Sequence, residues 1–160
     1  MSQDSVDLLL TQWTRERPDL DLSGLSIVVR ILAMSTGFRR EAEKTLALFD
    51  LQLWEYDVLS ALRRQGANCQ LLATDLARET LLSAGAMTNR IDRLEEKGQV
   101  KRRSDPKDRR NVWVRLTRAG RTTIDAAIKA RFDLADRQVK SLTVKERKQL
   151  VRLLRKLVNQ

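Results

Sequence analysis

The segment from Ser83 to Leu116 constrains the fold of this chain more than any other. It begins with a helical pattern, SAGAMTNRIDRLEEKG, continues through a short strand and the basic loop DPKDRRN, and ends in a second strand, VWVRL. Val112, Val114 and Leu116 alternate with their neighbours at the period of a half-buried strand. A helix followed directly by a two-stranded ribbon with arginines at its tip predicts a winged helix-turn-helix, with the helix in a DNA major groove.

The charge of the chain favours a polyanionic partner. There are 31 Lys and Arg against 21 Asp and Glu, which gives a formal net charge of +10. Seven of the basic residues fall between positions 101 and 115, against Asp105 and Asp108. Such a run alone is equally typical of a solvated face. Its position at the tip of a predicted ribbon beside a helix-turn-helix favours contact with DNA.

The cysteine and histidine counts exclude several function classes. The chain has no histidine and a single cysteine, Cys69, so an intrachain disulfide, a common Cys/His zinc site and a histidine-dependent hydrolase site are excluded. We find no carboxylate cluster with metal-ligand spacing either, and we expect neither an enzyme nor a cofactor. Cys69 is interpreted as a small side chain near a helix start, with redox sensing as the alternative.

No targeting or membrane segment is visible. The triplet Leu8-Leu9-Leu10 is too short and too polar in its flanks for a signal peptide. No run of about 18 apolar residues is present. We therefore expect a cytoplasmic protein without a membrane partner.

Hydrophobic periodicity predicts a mostly α fold with a small β-ribbon, that is, a winged helix-turn-helix with N- and C-terminal dimerisation helices. The predicted DNA-binding lobe covers 51–117, and the predicted dimerisation helices lie in 1–50 and 118–160. Thr117 is the expected cap of one helix, and Thr143 with Glu146 forms a capping box for the last. The predicted helices cover a short segment before Pro18, then 23–48, 53–65, 71–79, 83–97, 118–140 and a final segment after Thr143.

The terminal helices carry apolar stripes that lie outside the predicted winged-helix core. An example is the last helix, with Leu150, Leu154 and Leu157 on one face. Such stripes must be buried. A two-fold dimer that spaces two DNA-binding lobes over a palindromic site does this. The alternative is a terminal hairpin that folds back onto its own chain.

The helix over 83–97 divides into a core face and an outward face. Met87, Ile91 and Leu94 share one side. On the other side, two small residues allow close approach to a groove, two polar residues can contact base edges, and an arginine can hold phosphate. The alternative is that the polar pair is merely exposed to solvent. The predicted DNA-contacting residues are Gly85, Ala86, Thr88, Asn89 and Arg93.

The tip of the ribbon supplies a second predicted contact. Arg109 or Arg110 would enter the narrow minor groove, where the negative potential is highest, and Asp108 would hold an arginine in position. Binding should weaken with salt as counterions are released. General attraction to phosphate is expected from Lys101, Arg102, Arg103 and Lys107.

These motifs resemble the MarR family of transcriptional regulators. The resemblance is carried by DLARETLLSAGAMTNRIDRLEEKGQVKRR, by DPKDRRNVWVRLTRAG and by LQLWEYDVLSALRRQG, and it extends over about 25–158. It implies a homodimer that binds a palindromic double-stranded DNA site, usually as a repressor released by a small molecule. Asp108 and Arg110 match the paired wing residues of the family.

The chain departs from the family pattern at several places. Thr80-Leu81 stand where members often carry Leu-Gly, so the geometry of this turn is open. The cysteine near the N-terminus used by the peroxide-sensing branch and the histidines used by the zinc-sensing branch are absent.

A narrower resemblance concerns the urate-responsive branch of the family. It implies that Trp13, Asp57, Arg90 and Arg102 line an anion-binding pocket, although Gln65 stands where that branch tends to have Asn. Arg90 also lies beside the core face of its helix, where an arginine needs a partner. A structural ion pair between Asp57 and Arg90 is the alternative to a pocket.

Two function hypotheses remain. The first is a ligand-responsive, dimeric DNA-binding regulator, a repressor released by a small aromatic anion such as urate or a phenolic compound. The second is a constitutive or architectural double-stranded DNA-binding protein without an effector. Asp57 and Arg90 favour the first, because an architectural protein has no use for opposed charges near a core face.

Overall fold

The computed structural model describes residues 4–106, 108 and 111–159, and the chain divides into two compact units, 1–41 and 42–160. Within the described residues no helix is long and apolar enough to cross a membrane. The elements in chain order are α1 (Ser5–Glu16), α2 (Ser23–Ala47), α3 (Leu53–Arg63), a 3-10 turn (Gly66–Asn68), β1 (Gln70–Leu72), α4 (Ala73–Glu79), α5 (Ala84–Glu96), β2 (Val100–Ser104), β3 (Val112–Leu116), α6 (Arg118–Gln138) and α7 (Val144–Val158).

The first unit contains α1 and most of α2. The Asp4 side chain accepts hydrogen bonds from the backbone N–H groups of Val6 and Asp7. The Asp7 carboxylate in turn accepts a hydrogen bond from the Asp4 N–H at 2.9 Å. Arg30 of α2 pairs with both carboxylates, at 3.0 Å from Asp4. The Asp7 backbone and Arg30 together hold the pKa of Asp4 below its ordinary value. Capping and ion pairing thus fix α1 to α2 within this unit.

The second unit is built on a three-stranded antiparallel sheet in the order β1-β3-β2. Val114, at the centre of β3, lies opposite Leu71 of β1 and Arg102 of β2. The core between this sheet and the helices of the unit contains seventeen buried side chains, among them Leu46, Val58, Leu62, Leu76, Met87, Ile91, Leu94, Val100, Val114, Ile124 and Ala127.

The third strand corrects the sequence prediction at one place. We predicted a two-stranded ribbon and a helix that begins at Leu71, but residues 70–72 form β1 and α4 begins at Ala73. Three residues are too few to show the period of a strand. Only the open edge of β3, which is distant in sequence, makes extended backbone favourable there.

The core face predicted for α5 is confirmed, because Met87, Ile91 and Leu94 are each 2% exposed or less. Ser83 caps the helix by accepting a hydrogen bond from the Ala86 N–H at 3.3 Å. Gly98 follows the C-cap with φ +68°, a left-handed conformation that suits glycine.

The predicted caps of the two C-terminal helices are confirmed. The Thr117 hydroxyl accepts a hydrogen bond from the Gly120 N–H at 2.9 Å and donates to the Gly98 carbonyl at 2.7 Å. Gly120 approaches the backbone of Gln99 so closely that an added Cβ would lie 1.9 Å from the Gln99 carbonyl oxygen. The glycine is therefore required by packing between the start of α6 and the turn that joins α5 to β2.

Helix α7 begins with the predicted capping box of Thr143 and Glu146. It buries no residue, although its apolar side chains share one face. Along α6, Ile124 is buried, whereas Phe132 is exposed. The exposed apolar side chains of α7 are Leu150, Val151, Leu153, Leu154, Leu157 and Val158.

The turn between α4 and α5 has an unusual residue at its centre. Leu81 has φ +56° and its side chain is 94% exposed. The Leu82 N–H donates to the Ala77 carbonyl at 2.9 Å, which completes the motif that normally ends a helix with glycine. Leu81 therefore takes a glycine conformation at an energetic cost.

Candidate nucleic-acid interface

The outward face of α5 carries the residues predicted to contact DNA. Gly85, Thr88, Asn89 and Arg93 are exposed and Ala86 is half-buried. The Thr88 hydroxyl donates to the Ala84 carbonyl at 3.1 Å, which leaves its methyl group and oxygen lone pairs for a partner. Within the described part of the chain, the side chains of Asn89 and Arg93 make no hydrogen bond or ion pair.

Among the described residues, nothing packs so closely on Gly85 that glycine is required there. A Cβ added there would meet nothing within 4 Å. Glycine inside a helix lowers helix stability by about 1 kcal/mol relative to alanine. A glycine at position 85, where packing does not require one, suits the close approach of an external surface.

The wing is formed by β2, β3 and the loop between them. Lys107, Arg109 and Arg110 lie outside the described residues, so their predicted DNA contacts remain predictions. At the base of the loop, the Trp113 indole N–H donates to Asp105 at 2.9 Å. The Asp108 carboxylate accepts a hydrogen bond from the Asn111 side-chain amide at 3.3 Å. The role predicted for Asp108 in holding an arginine is likewise untested.

Arg102 contacts α5 rather than open solvent. Its Nε donates to the Glu95 carboxylate at 2.8 Å, and its Nη2 pairs with Asp92. Its backbone N–H also donates to Glu95, at 3.0 Å. The sequence did contain a signal for this, because Arg102 alternates with Lys101 and Arg103 and so faces the same side of β2 as Val100.

Arg90 has an aromatic partner that the sequence analysis missed. Its guanidinium carbon lies 5.1 Å from the centre of the Trp54 ring, which is a cation–π contact. The Trp54 indole N–H in turn donates to the Gln52 side chain at 2.5 Å. This pair connects α5 to the first turn of α3.

The other predicted ligand residues lie in different surroundings. Asp57 is one turn beyond Trp54 on α3 and is exposed. Trp13 lies on α1 in the first unit and is 46% exposed. Among the described contacts Arg102 is tied to carboxylates of α5 and not to Asp57. Asp57 lines a surface pocket of about 210 Å³ with Ser60, Arg64, Glu79, Thr80 and Leu81.

A buried ion pair beside the interface was not predicted. Glu55 of α3 is 2% exposed, and its carboxylate lies 3.0 Å from Lys97 at the end of α5. Lys97 also donates to the Asp50 carbonyl at 3.1 Å. Burial lowers the pKa of Lys97, but the hydrogen bond to Glu55 and the charges of Glu55 and Asp50 outweigh it, so the pKa lies above its ordinary value.

Cys69 is a buried core residue at the end of the 3-10 turn. Its thiol donates to the Gly66 carbonyl at 3.1 Å. The position agrees with the interpretation of a small side chain.

Comparison with known proteins gives a consistent result. A family model described as "MarR family" matches residues 49–111. The transcriptional regulator PecS of Dickeya dadantii is 30% identical over 77% of this chain and 74% of its own length. The crystal structure of AbsC, a MarR family regulator from Streptomyces coelicolor, superposes with a TM-score of 0.79 at 22% identity, covering 88% of this chain and 95% of that one.

A DNA complex is also among the similar structures. A mutant of Escherichia coli MarR complexed with operator DNA superposes with a TM-score of 0.70 at 27% identity. The match covers 91% of this chain and 96% of that one.

Proposed function

Since this chain belongs to the MarR family of transcriptional regulators, we propose that it is a dimeric repressor that binds a palindromic operator and is released by a small aromatic anion. The observation that carries the proposal is the division of α5. Its apolar face is buried to 2% exposure or less, while Asn89 and Arg93 on the opposite face are exposed.

The outward face of α5 suits the major groove. Gly85 and Ala86 keep the start of the helix narrow, and Asn89 can donate and accept at the edge of adenine. Arg93 supplies a phosphate contact one turn later. The operator complex of the E. coli relative supports this use of the fold.

Helix α7 supports the dimer. Its exposed apolar face is one that a monomer would leave in water, and in a two-fold dimer the same face would pack against its copy. Two lobes held in this way would bind two half-sites of one operator.

Arg90 and Trp54 support an aromatic anion as the effector. The guanidinium supplies positive charge, and the indole supplies a stacking surface at the same place. We propose that the anion pairs with Arg90, and that Asp57 of the same unit contributes to the site as the resemblance implies. Because Arg90 belongs to α5, a ligand that draws it away from Trp54 would tilt the recognition helix. The ligand shifts the equilibrium between the DNA-binding and the released conformation only by the difference between its affinities for the two.

DNA reading is tested by a binding titration on the region upstream of the chain's own gene. Asn89→Ala should relax preference at one base pair of each half-site by about 1–3 kcal/mol. Gln149→Ala, on α7, is the matched control and should bind as the unaltered protein does. Equal discrimination by Asn89→Ala and the unaltered protein would remove α5 from the groove.

The wing is tested by salt dependence. Arg110→Ala should weaken binding and reduce the slope of log affinity against log salt by about 1. A slope that does not change would remove Arg110 from the DNA interface.

The effector is tested with urate and a panel of phenolic carboxylates. An active anion should release DNA from the unaltered protein and not from Arg90→Ala, whose DNA affinity alone is measured first. Tryptophan fluorescence of Trp13→Phe, Trp54→Phe and Trp113→Phe assigns the signal to one ring. If no anion in the panel releases DNA or alters fluorescence, the chain is a constitutive DNA-binding protein.

A further inference from the structure

We propose that Arg102 is a positioning residue, which neutralises two carboxylates on the recognition helix and so permits that helix to approach DNA. The inference rests on the proposed function, in which α5 enters the major groove. It assigns to Arg102 a role different from both the phosphate contact and the ligand contact expected from the sequence.

The contacts of Arg102 are directed entirely at one face of α5. Asp92 and Glu95 are three residues apart and therefore neighbours on the helix surface. The Nε–Nη2 edge of the guanidinium meets both, with Glu95 at 2.8 Å. The second oxygen of Glu95 accepts the backbone N–H of Arg102 at 3.0 Å. One side chain thus joins β2 to the recognition helix through two carboxylates.

The charge of α5 explains why a DNA-binding protein needs this contact. The helix carries three carboxylates, Asp92, Glu95 and Glu96, against two arginines. A carboxylate within the Debye length of about 8–10 Å from the phosphates repels them. Arg102 offsets the charge of two carboxylates with one cation, and its side chain remains only 30% exposed.

Arg103 provides a matched control on the same strand. It follows Arg102, faces the other side of β2 and is exposed. Among the described residues it forms no ion pair. The two arginines carry the same charge on neighbouring positions of β2, but among the described contacts only Arg102 meets the carboxylates of α5.

The test is a double-mutant cycle on operator affinity. Arg102→Ala should weaken binding roughly tenfold at low salt, because two carboxylates lose their counter-charge near the DNA. The pair Asp92→Asn with Glu95→Gln should restore most of that loss. The gain from this pair must be larger in the Arg102→Ala background than in the unaltered protein. In the Arg103→Ala background the gain should equal that in the unaltered protein.

Two further measurements exclude a loss of folding as the explanation. Thermal unfolding is recorded for every variant, and Arg102→Lys, which keeps the charge, should retain more affinity than Arg102→Ala. An equal gain in the Arg102→Ala background and the unaltered protein would overturn the proposal, because Arg102 would then act on DNA by itself. Arg102→Lys binding no better than Arg102→Ala would also overturn it.

The proposed function fails separately from this inference. If Asn89→Ala binds the operator as the unaltered protein does, α5 is not the reading helix and the proposed function falls. If Asn89→Ala loses discrimination while the cycle shows no coupling, the role of Arg102 alone is wrong.

Discussion

Helices α5 and α7 both carry a regular apolar stripe, but α5 buries its stripe within the chain and α7 does not. Met87, Ile91 and Leu94 are nearly inaccessible to solvent, whereas Leu154 of α7 is 39% exposed and Val158 is 81% exposed. Both helices begin with a side-chain cap. Local sequence therefore accounts equally well for the two helices and does not explain where their apolar faces go.

The difference in burial between α5 and α7 shows which apolar faces one chain can cover by itself. Around the core of the winged-helix lobe lie the sheet, helices α3 to α6 and the end of α2, with an ion pair between Glu55 and Lys97. Helix α7 has the stripe but buries none of it against the described residues, which agrees with the proposal that a second copy supplies the partner. We expect changes in the lobe to alter stability and changes in α7 to alter association.

The largest expected effect follows deletion of residues 141–160. Removing the whole apolar face of α7 should convert the protein to a monomer and abolish tight operator binding, because the two half-sites are then bound independently. Sedimentation velocity and an operator titration measure the two effects. A truncated chain that remains dimeric and binds fully would place the interface elsewhere.

A point variant sharpens this test. Leu154→Glu places a charge on the apolar face and should weaken association strongly. Arg152→Ala, with the same change in net charge on the opposite face, should not.

Among substitutions that affect folding, Gly120→Ala at the start of α6 should have the largest effect. Its Cβ would lie 1.9 Å from the Gln99 carbonyl oxygen, so α6 must shift, and we expect a loss of about 3 kcal/mol in unfolding free energy. Chemical denaturation measures it. Gly85→Ala is the control, since nothing lies near its added Cβ; it should raise stability by up to about 1 kcal/mol. A stable Gly120→Ala variant would mean that α6 is not packed as described.

Lys97→Met removes the partner of buried Glu55. Because the Lys97 side chain stays 37% exposed, we expect a loss of about 2 kcal/mol, below the range for a fully buried pair. The pKa of Lys97 is raised on folding, so its stabilisation is complete below the ordinary pKa of lysine and is lost as pH rises through the raised value.

Denaturation at neutral and strongly alkaline pH checks this expectation. The difference between the unaltered protein and Lys97→Met should shrink at alkaline pH. Lys101→Met, which removes an exposed lysine from β2, should show neither the loss nor the pH dependence. A constant difference across pH would mean that the charge of Lys97 does not contribute.

The smallest effect is expected at the turn before α5. Leu81→Gly should raise the unfolding free energy by about 1 kcal/mol, because glycine adopts φ +56° without the steric cost that leucine has. Leu81→Ala keeps that cost and removes only an exposed side chain, so its stability should change little. Equal stability of the glycine and alanine variants would mean that the turn is not strained.

Much of the fold was predictable because its signals are local. The caps at Thr117 and Thr143, the C-terminal glycine at Gly98 and the core face of α5 each depend on residues within one or two turns. Strand β1 was not predicted, since it is defined by its pairing with β3, about 40 residues later.

The candidate site was predictable in its outward face and less so in its contacts. The exposure of Asn89 and Arg93 follows from the helical period. The partners of Arg90 and Arg102 do not, because Trp54 and the carboxylates Asp92 and Glu95 are brought to them by packing between elements. Arg102 was predicted to bind an anionic ligand, but its guanidinium is already paired with two carboxylates of the same chain.

The hydroxyl of Thr117 has a mechanical consequence. It holds the carbonyl of Gly98, just past the recognition helix, and the N–H of Gly120, in the first turn of α6. Gly120 also packs directly against the backbone of Gln99. The junction between the end of α5 and the start of α6 is therefore tightly packed as well as hydrogen-bonded. We therefore expect a rotation of α5 to move the start of α6, the helix that leads to α7. Because a rotated rod moves most at its far end, a small rotation of α5 would displace the end of the 21-residue α6 more than its start.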